Sequence, residues 1–148
     1  MEFIEFKNKT ELISYLPINT RENYIIPDSV ITLGNNSFNP ENNLQTITIS
    51  KNVEIISPSA FYDLPYMTEY KVDEDNTKYI SIDGVLFTKD MKTLIRYPQS
   101  KDSTSYIVLY PVETLKHHAF LFCENLELLI LPSTIKSLYT NSLSSNFK

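Results

Sequence analysis

A repeated spacing of apolar residues is the feature that most constrains the fold of this chain. Four anchor residues, Val30, Val53, Val112 and Ile135, form two pairs whose members lie 23 residues apart (53−30 and 135−112). The gap of 59 residues between the pairs (112−53) equals one further repeat and 36 additional residues. The same kinds of side chain recur around each anchor: Tyr24, Ile47, Tyr106 and Leu129 six residues before it; Ile26, Ile49, Val108 and Leu131 four before it; Leu33, Ile56, Leu115 and Leu138 three after it; and Phe38, Phe61, Phe120 and Leu143 eight after it.

Such a period, with alternating apolar residues on a short strand, is typical of a leucine-rich-repeat solenoid. A single coil cannot bury its own apolar ridge, so its stability depends on stacking against neighbouring coils. Side chains six and four residues before the anchor share one face of the strand, because strand side chains alternate between two faces. We therefore expect a right-handed coil of about 23-residue repeats with a parallel sheet on its concave face.

The repeat register divides a single repeat domain, residues 1–148, into four parts. These are an N-terminal cap at 1–23, repeats at 24–72, a β island at 73–103 and repeats at 104–148. In the cap, Phe3, Ile4 and Phe6 predict a short strand. Thr10 is a candidate capping residue of a short helix through Leu12, Ile13 and Leu16, which Pro17 ends. A cap is expected because the end of a solenoid must cover its core, and a frayed tail is the alternative.

The island at 73–103 predicts a meander of three short strands. The Asp83-Gly84 pair is a strong hairpin signal between Tyr79–Ile82 and Val85–Thr88. After a second polar turn, Thr93–Tyr97 forms the third strand and Pro98 ends it.

Two segments carry a resemblance to a known family. Residues 25–38 (IIPDSVITLGNNSF) and 113–126 (ETLKHHAFLFCENL) resemble the BspA-like leucine-rich repeats, and 72–98 is similar to the hairpin island that interrupts such arrays. The resemblance implies a non-enzymatic protein-interaction module of the kind found in surface or secreted adhesion proteins of mucosal microbes and protists. An intracellular scaffold or regulatory repeat protein with an unknown protein partner is the alternative function.

The charge and apolar content limit the partners. A net charge of −5 gives a poor fit to nucleic acid, which favours a basic surface. No run approaches the ~20 apolar residues that a membrane span needs, and the single cysteine excludes an internal disulfide framework. Met1–Phe6 lacks the features of a signal peptide. The lack of signal-peptide features favours a cytoplasmic location, whereas the family resemblance favours the cell surface or secretion. The sequence therefore does not decide the compartment.

No residue pattern predicts a catalytic centre. Adjacent His117 and His118 occupy turn positions and are expected to be solvated rather than metal ligands. Cys123 is expected to pack as a small apolar residue. A hydrolase that uses Cys123 or the histidine pair is the enzymatic alternative, and it would need an activated thiolate.

An acidic turn is the other candidate ligand site. Asp73, Asp75 and Asn76 suggest calcium, but an EF-hand loop needs glycine at its sixth position and this chain has Lys78 there. A solvated acidic turn is therefore the expectation, and no cofactor or metal is predicted.

An outward-facing ribbon is the predicted partner-binding site. Residues five and seven before each anchor face away from the core, and stacking would align them on the concave face. Either a partner contacts the apolar members of this ribbon, or a flanking segment or the island covers them. The open C-terminal end also predicts possible self-association. The predicted binding residues are Ile25, Thr48, Lys71, Ile107, Leu128 and Ile130.

Overall fold

The computed structural model describes residues 4–15, 21–38, 43–143 and 147. No helix in this described part is long and apolar enough to cross a bilayer. The strands are β1 (Ile4–Lys7), β2 (Glu11–Tyr15), β3 (Asn23–Ile25), β4 (Thr32–Leu33), β5 (Thr46–Ile49), β6 (Ile55–Ile56), β7 (Glu69–Val72), β8 (Tyr79–Ile82), β9 (Val85–Thr88), β10 (Thr93–Arg96), β11 (Ser105–Ile107), β12 (Thr114–Leu115), β13 (Leu128–Ile130) and β14 (Ser137–Leu138).

Successive coils stack in the predicted 23-residue register. Each coil contributes one strand to a first ladder (β3-β5-β7 and β11-β13) and one to a second ladder (β2-β4-β6 and β10-β12-β14). In the first ladder Ile47 lies between Tyr24 and Tyr70 in parallel pairing, and in the second Leu33 pairs with Ile56. The β-solenoid is confirmed, and the direction of coiling stays a prediction.

The repeated apolar positions form the core. Ile26, Ile49 and Val108 are at most 2% exposed, and Phe38 stacks on Phe61 with ring centroids 5.6 Å apart. The small residue before each ring position is buried, which gives the ring of the stacked coil its space. The last coil is less buried, although Phe147 packs edge-on against Phe120 with ring centroids 6.1 Å apart. Its equivalents remain 37–50% exposed: Leu131, Leu138 and Leu143.

The predicted helix near the N-terminus is wrong over Glu11–Tyr15, which forms strand β2. Phe3, Leu16 and Pro17, on which the predictions for this cap also relied, lie outside the described residues. It is antiparallel to β1 and parallel to β4, so it forms the first rung of the second ladder. The edge of β4 offers backbone partners, for example the Gly34 N–H that donates to the Leu12 carbonyl at 3.0 Å. Five residues gain too little from local helix formation to compete with this pairing. A Cβ at Gly34 would lie 3.0 Å from the same oxygen, so glycine permits the close approach.

The three island strands are confirmed as β8, β9 and β10. Asp83 (φ 50°) and Gly84 (φ 76°) both have positive φ, as the tight hairpin turn requires. The third strand is more than an insertion, because β10 pairs in parallel with β12 and continues the second ladder. Leu86 packs in one core and Phe87 in the other, so strand β9 separates two hydrophobic clusters.

Strands β2 and β10 are equivalent starts of two similar blocks. Leu94 and Tyr97 follow Leu12 and Tyr15 by 82 residues (94−12 and 97−15). The Tyr15 N–H donates to the Ser37 carbonyl at 2.6 Å, as the Tyr97 N–H donates to the Ala119 carbonyl at 2.8 Å. Each tyrosine also starts a cluster of three rings with the next two aromatic core residues: Tyr15, Tyr24 and Phe38 in the first block, and Tyr97, Tyr106 and Phe120 in the second. The hairpin therefore restarts the array after interrupting it.

Candidate functional site

Three large apolar side chains of the first ladder lie on its outer face in the second block. Ile107, Leu128 and Ile130 are 62%, 49% and 47% exposed, and we call them the apolar patch. They are neighbours, since Ile107 pairs with Ile130 and Ser105 pairs with Leu128. The island leaves these side chains open to solvent, and their role in binding stays a prediction.

The predicted ribbon is not continuous, which corrects the sequence analysis. Strand β7 ends one sheet, β11 starts another, and the two strands do not pair. The island separates them, so Lys71 and Ile107 are not adjacent rungs. Ile25 (71% exposed), half-buried Thr48 and exposed Lys71 therefore belong to a separate surface in the first block. On that surface the Lys71 Nζ atom lies 3.2 Å from Glu69 Oε1.

The two histidines lie in a turn, as predicted, but they are half-buried rather than fully solvated. The His118 ring packs edge-on against Tyr62 with centroids 5.0 Å apart, and His117 Nδ1 lies 3.1 Å from the Thr140 carbonyl oxygen. Burial lowers the pKa of His118, and a backbone hydrogen bond with Pro58 partly offsets this. Among the described residues no group of three or more His, Cys, Asp or Glu side chains could hold a metal ion.

The backbone conformation at position 118 explains why a histidine occupies this turn. Asn36, His118 and Asn141 occupy the same turn position and have φ values of 55°, 62° and 55°. This left-handed conformation is several-fold enriched in asparagine and histidine. The left-handed turn therefore explains the residue type in these three coils.

The acidic turn contains a buried structural asparagine. Asn76 is 1% exposed, so the solvated-turn prediction is wrong at this position. Its Nδ2 donates to the carbonyl oxygens of Ser50 (2.8 Å) and Val53 (3.1 Å), and its Oδ1 accepts the N–H groups of Lys78 and Tyr79 (2.8 Å each). These contacts use both donors and the oxygen, so the side chain holds the start of the island against the second coil. Asp73 Oδ1 accepts the N–H of Asp75 at 3.0 Å.

Cys123 is buried among the core residues of the second block, as expected for a small apolar side chain. Burial raises its pKa to about 11, and the positive charge of Arg96 partly offsets the rise. Cys123 does not line the cleft that contains the two histidines. The arrangement therefore lacks the activated thiolate that the hydrolase hypothesis needs.

We expect Cys123 in the native protein to react slowly with iodoacetamide. At pH 8 a thiol with this pKa is ionised in only about one molecule in a thousand, and the side chain is 1% exposed. Mass spectrometry over time should show labelling at least ~100-fold slower than in protein unfolded in urea. Equal rates in the two conditions would contradict the buried position.

A cleft of about 250 Å³ lies where the second ladder misses one rung, between β6 and β10. We call it the junction cleft. The Tyr79 hydroxyl donates to the Glu54 carbonyl at 3.0 Å and forms a backbone hydrogen bond with Ile56. In the preceding coil the equivalent carbonyl, that of Ile31, accepts the Ile55 N–H of the next strand at 3.1 Å. One side-chain hydroxyl therefore occupies the edge of β6 in place of the missing strand.

Arg96 has the corresponding role on the β10 side of the missing strand, where it pairs with a backbone carbonyl. Its Nη1 donates to the His118 carbonyl oxygen, and its Nη2 lies 3.4 Å from the Tyr62 carbonyl and 3.5 Å from Gln99 Oε1. The equivalent carbonyl of Asn141 instead accepts a backbone N–H from the preceding coil at 3.1 Å. The guanidinium group therefore links the two blocks where the backbone ladder is interrupted.

The array also identifies the family. A family model described as the BspA type leucine rich repeat region matches residues 17–99 and 96–148, with six copies. This chain is a BspA-type leucine-rich-repeat protein. The resemblance inferred from its repeats is thus confirmed, and a comparison with curated proteins finds no match.

Solved structures share the fold of this BspA-type chain. A leucine-rich repeat protein from Eubacterium ventriosum has a TM-score of 0.75 at 24% identity, over 78% of this chain and 31% of that one. A leucine rich cell surface protein from Faecalibacterium prausnitzii gives 0.67 at 21% identity, over 82% and 38%. The pneumococcal vaccine antigen PcpA gives 0.64 at 22% identity, over 86% and 40%. The chain thus spans about a third to two fifths of these proteins, and the similarity is one of fold.

Proposed function

We propose that this chain is a non-enzymatic protein-binding repeat module and that the apolar patch contacts its partner. The observation that supports this most directly is the exposure of Ile107, Leu128 and Ile130 side by side on one ladder. Contiguous exposed apolar side chains on one face mark candidate contact sites. Repeat proteins commonly bind partners through extended faces of this kind.

Adhesion at the cell surface is the specific form of this function that we propose. It is supported by the BspA-type repeat and by a structural relative that is named a cell surface protein. The partner is then a host matrix or cell-surface protein. A weakly acidic chain with charges of both signs on its surface is compatible with such a contact.

Changing Ile107, Leu128 and Ile130 together to serine is expected to weaken binding to extracellular-matrix proteins or cultured cells at least ~10-fold. A tenfold loss corresponds to about 1.4 kcal/mol, which the truncation of one or two side chains at the centre of an interface can account for. Binding of the labelled chain to immobilised matrix proteins and to cells would be measured by biolayer interferometry and flow cytometry. The fold should persist, because all three side chains are already exposed.

The matched control changes three other exposed isoleucines, Ile13, Ile31 and Ile82, to serine. This control should retain wild-type binding, since none of these residues belongs to the patch. An equal loss in both triple variants would mean that general surface hydrophobicity, rather than the patch, carries the interaction. Wild-type protein that binds neither matrix proteins nor cells would refute the adhesive form of the proposal.

A further inference from the structure

His118 belongs to the second block, but its ring lies against the first. The ring packs edge-on against Tyr62 with centroids 5.0 Å apart, and it forms a hydrogen bond with the Pro58 carbonyl. The His118 carbonyl accepts a hydrogen bond from Arg96 Nη1, while Nη2 of the same side chain lies 3.4 Å from the Tyr62 carbonyl oxygen. Both the ring and the backbone of His118 therefore connect the two blocks at the junction cleft.

The contacts of this ring suit the neutral imidazole. A neutral imidazole has one N–H group and one acceptor nitrogen, and the Pro58 carbonyl takes the N–H. The Nδ1 atom is buried without a hydrogen-bond partner among the described residues. Protonation would make both nitrogens donors, and a buried donor that lacks an acceptor destabilises the folded form.

The charges around the ring oppose protonation as well. Burial lowers the pKa of His118, and the positive charges of Arg96 and His117 lower it further. Arg96 is 2% exposed, so water screens its charge poorly. The charged and titratable side chains that line the cleft beside His118 are Glu54, Tyr79, Arg96, Lys116 and His117, and the phenol of Tyr62 contacts its ring. Within the described chain Glu54 is the only acidic one among them, and it is exposed, so an imidazolium at position 118 lacks a buried counter-ion.

We propose that His118 makes the junction between the two blocks a pH-sensitive hinge, closed at neutral pH and loosened in acid. In the closed junction the uncharged ring holds Pro58 and Tyr62 against the second block. When the junction opens, the ring enters water and binds a proton more readily than it does when closed. A proton that binds the open form more tightly shifts the equilibrium towards that form as the pH falls. The residues of the apolar patch do not line the cleft, so this inference is independent of the proposed function.

The direction and the limit of the effect follow from proton binding to one histidine. Because the pKa of His118 is lowered in the closed form, its neutral ring stabilises that form at a pH above the ordinary histidine value of about 6.5. This stabilisation is lost as the pH falls below that value towards the lowered pKa. Since one proton is involved, the ratio of open to closed junction can rise at most ~25-fold between pH 7 and pH 5.

Two backbone amides report the opening of the junction. The Leu64 N–H donates to Gln99 Oε1 at 3.0 Å, and the Ser100 N–H donates to the Met67 carbonyl at 2.8 Å, so each hydrogen bond joins one block to the other. Their hydrogen exchange, corrected for the intrinsic effect of pH, should rise between ~3-fold and ~25-fold from pH 7 to pH 5. NMR titration of the His118 ring should give a pKa below about 6.5. A smaller rise in exchange, or a pKa at or above that value, would overturn the proposal.

His118→Asn provides the matched variant, because Asn36 and Asn141 occupy the same turn position with similar φ values. Asparagine does not titrate, so both amides should lose the rise in exchange at pH 5. His117→Asn removes the neighbouring histidine and should retain the rise. A rise that persists in His118→Asn, or one that disappears in His117→Asn, would show that His118 is not the switch. If His118→Asn does not fold, the pKa of His118 in the unchanged protein decides.

Discussion

Replacing Asn76 with alanine is expected to lower the free energy of unfolding by about 3 kcal/mol. The substitution removes three buried hydrogen bonds and one partly buried one. It leaves the Ser50 and Val53 carbonyls and the Lys78 and Tyr79 N–H groups without this partner. Each lost bond to a buried group costs about 1 kcal/mol, and entering water recovers part of the total. Urea unfolding followed by circular dichroism would measure the change.

Asn52 provides the matched control for this result. Its Nδ2 also donates to a backbone carbonyl, that of Asp28 at 2.8 Å, but the side chain is exposed. Asn52→Ala should therefore cost less than about 1 kcal/mol, because water replaces the lost contact. Similar losses for the two asparagines would show that Asn76 does not hold the island in place.

Phe120→Ala is expected to destabilise the protein by about 4 kcal/mol. The ring is fully buried and packs against Tyr97 and Tyr106, with centroid distances of 5.3 Å and 6.1 Å. Its removal leaves a cavity at the centre of the second block's ring cluster. Urea unfolding would measure the loss, and hydrogen exchange should show that β11–β14 lose protection before β3–β7, because repeat stability depends on adjacent coils.

Leu143 occupies the same repeat position as Phe120 and serves as its control. It is 37% exposed, so Leu143→Ala should cost about 1 kcal/mol or less. A loss as large as that of Phe120→Ala would mean that the last coil is covered in solution. That outcome would favour the self-association predicted for this end of the array.

The repeat register could be predicted because it depends only on the spacing between equivalent residues. Tyr24, Ile47 and Tyr70 lie 23 residues apart, and a parallel ladder aligns them without reference to any distant residue. The turn at Asp83-Gly84 could be predicted for a similar reason, since positive φ is a local demand that this pair meets. Family membership followed from the same pattern.

The junction cleft could not be predicted, because its residues lie where the second ladder lacks a strand. Tyr79 and Arg96 look like ordinary strand residues in the sequence, yet each replaces a backbone partner of the missing rung. Asn76 looked like part of a solvated turn because its neighbours are acidic. The one available signal was its position 23 residues after Val53, where a core residue is expected.

The sequence alone determined the coil length, the residues that face the core and the place where the array is interrupted. The tertiary structure decided that Glu11–Tyr15 is a strand, that the outer ribbon is divided between β7 and β11, and that a cleft with a buried arginine lies at the junction. The physical reason is that the repeat pattern specifies only the contacts between coils that stack directly on each other. Where a strand is missing, the backbone groups on either side of the gap are paired by side chains from elsewhere in the chain, and the repeat pattern does not specify these.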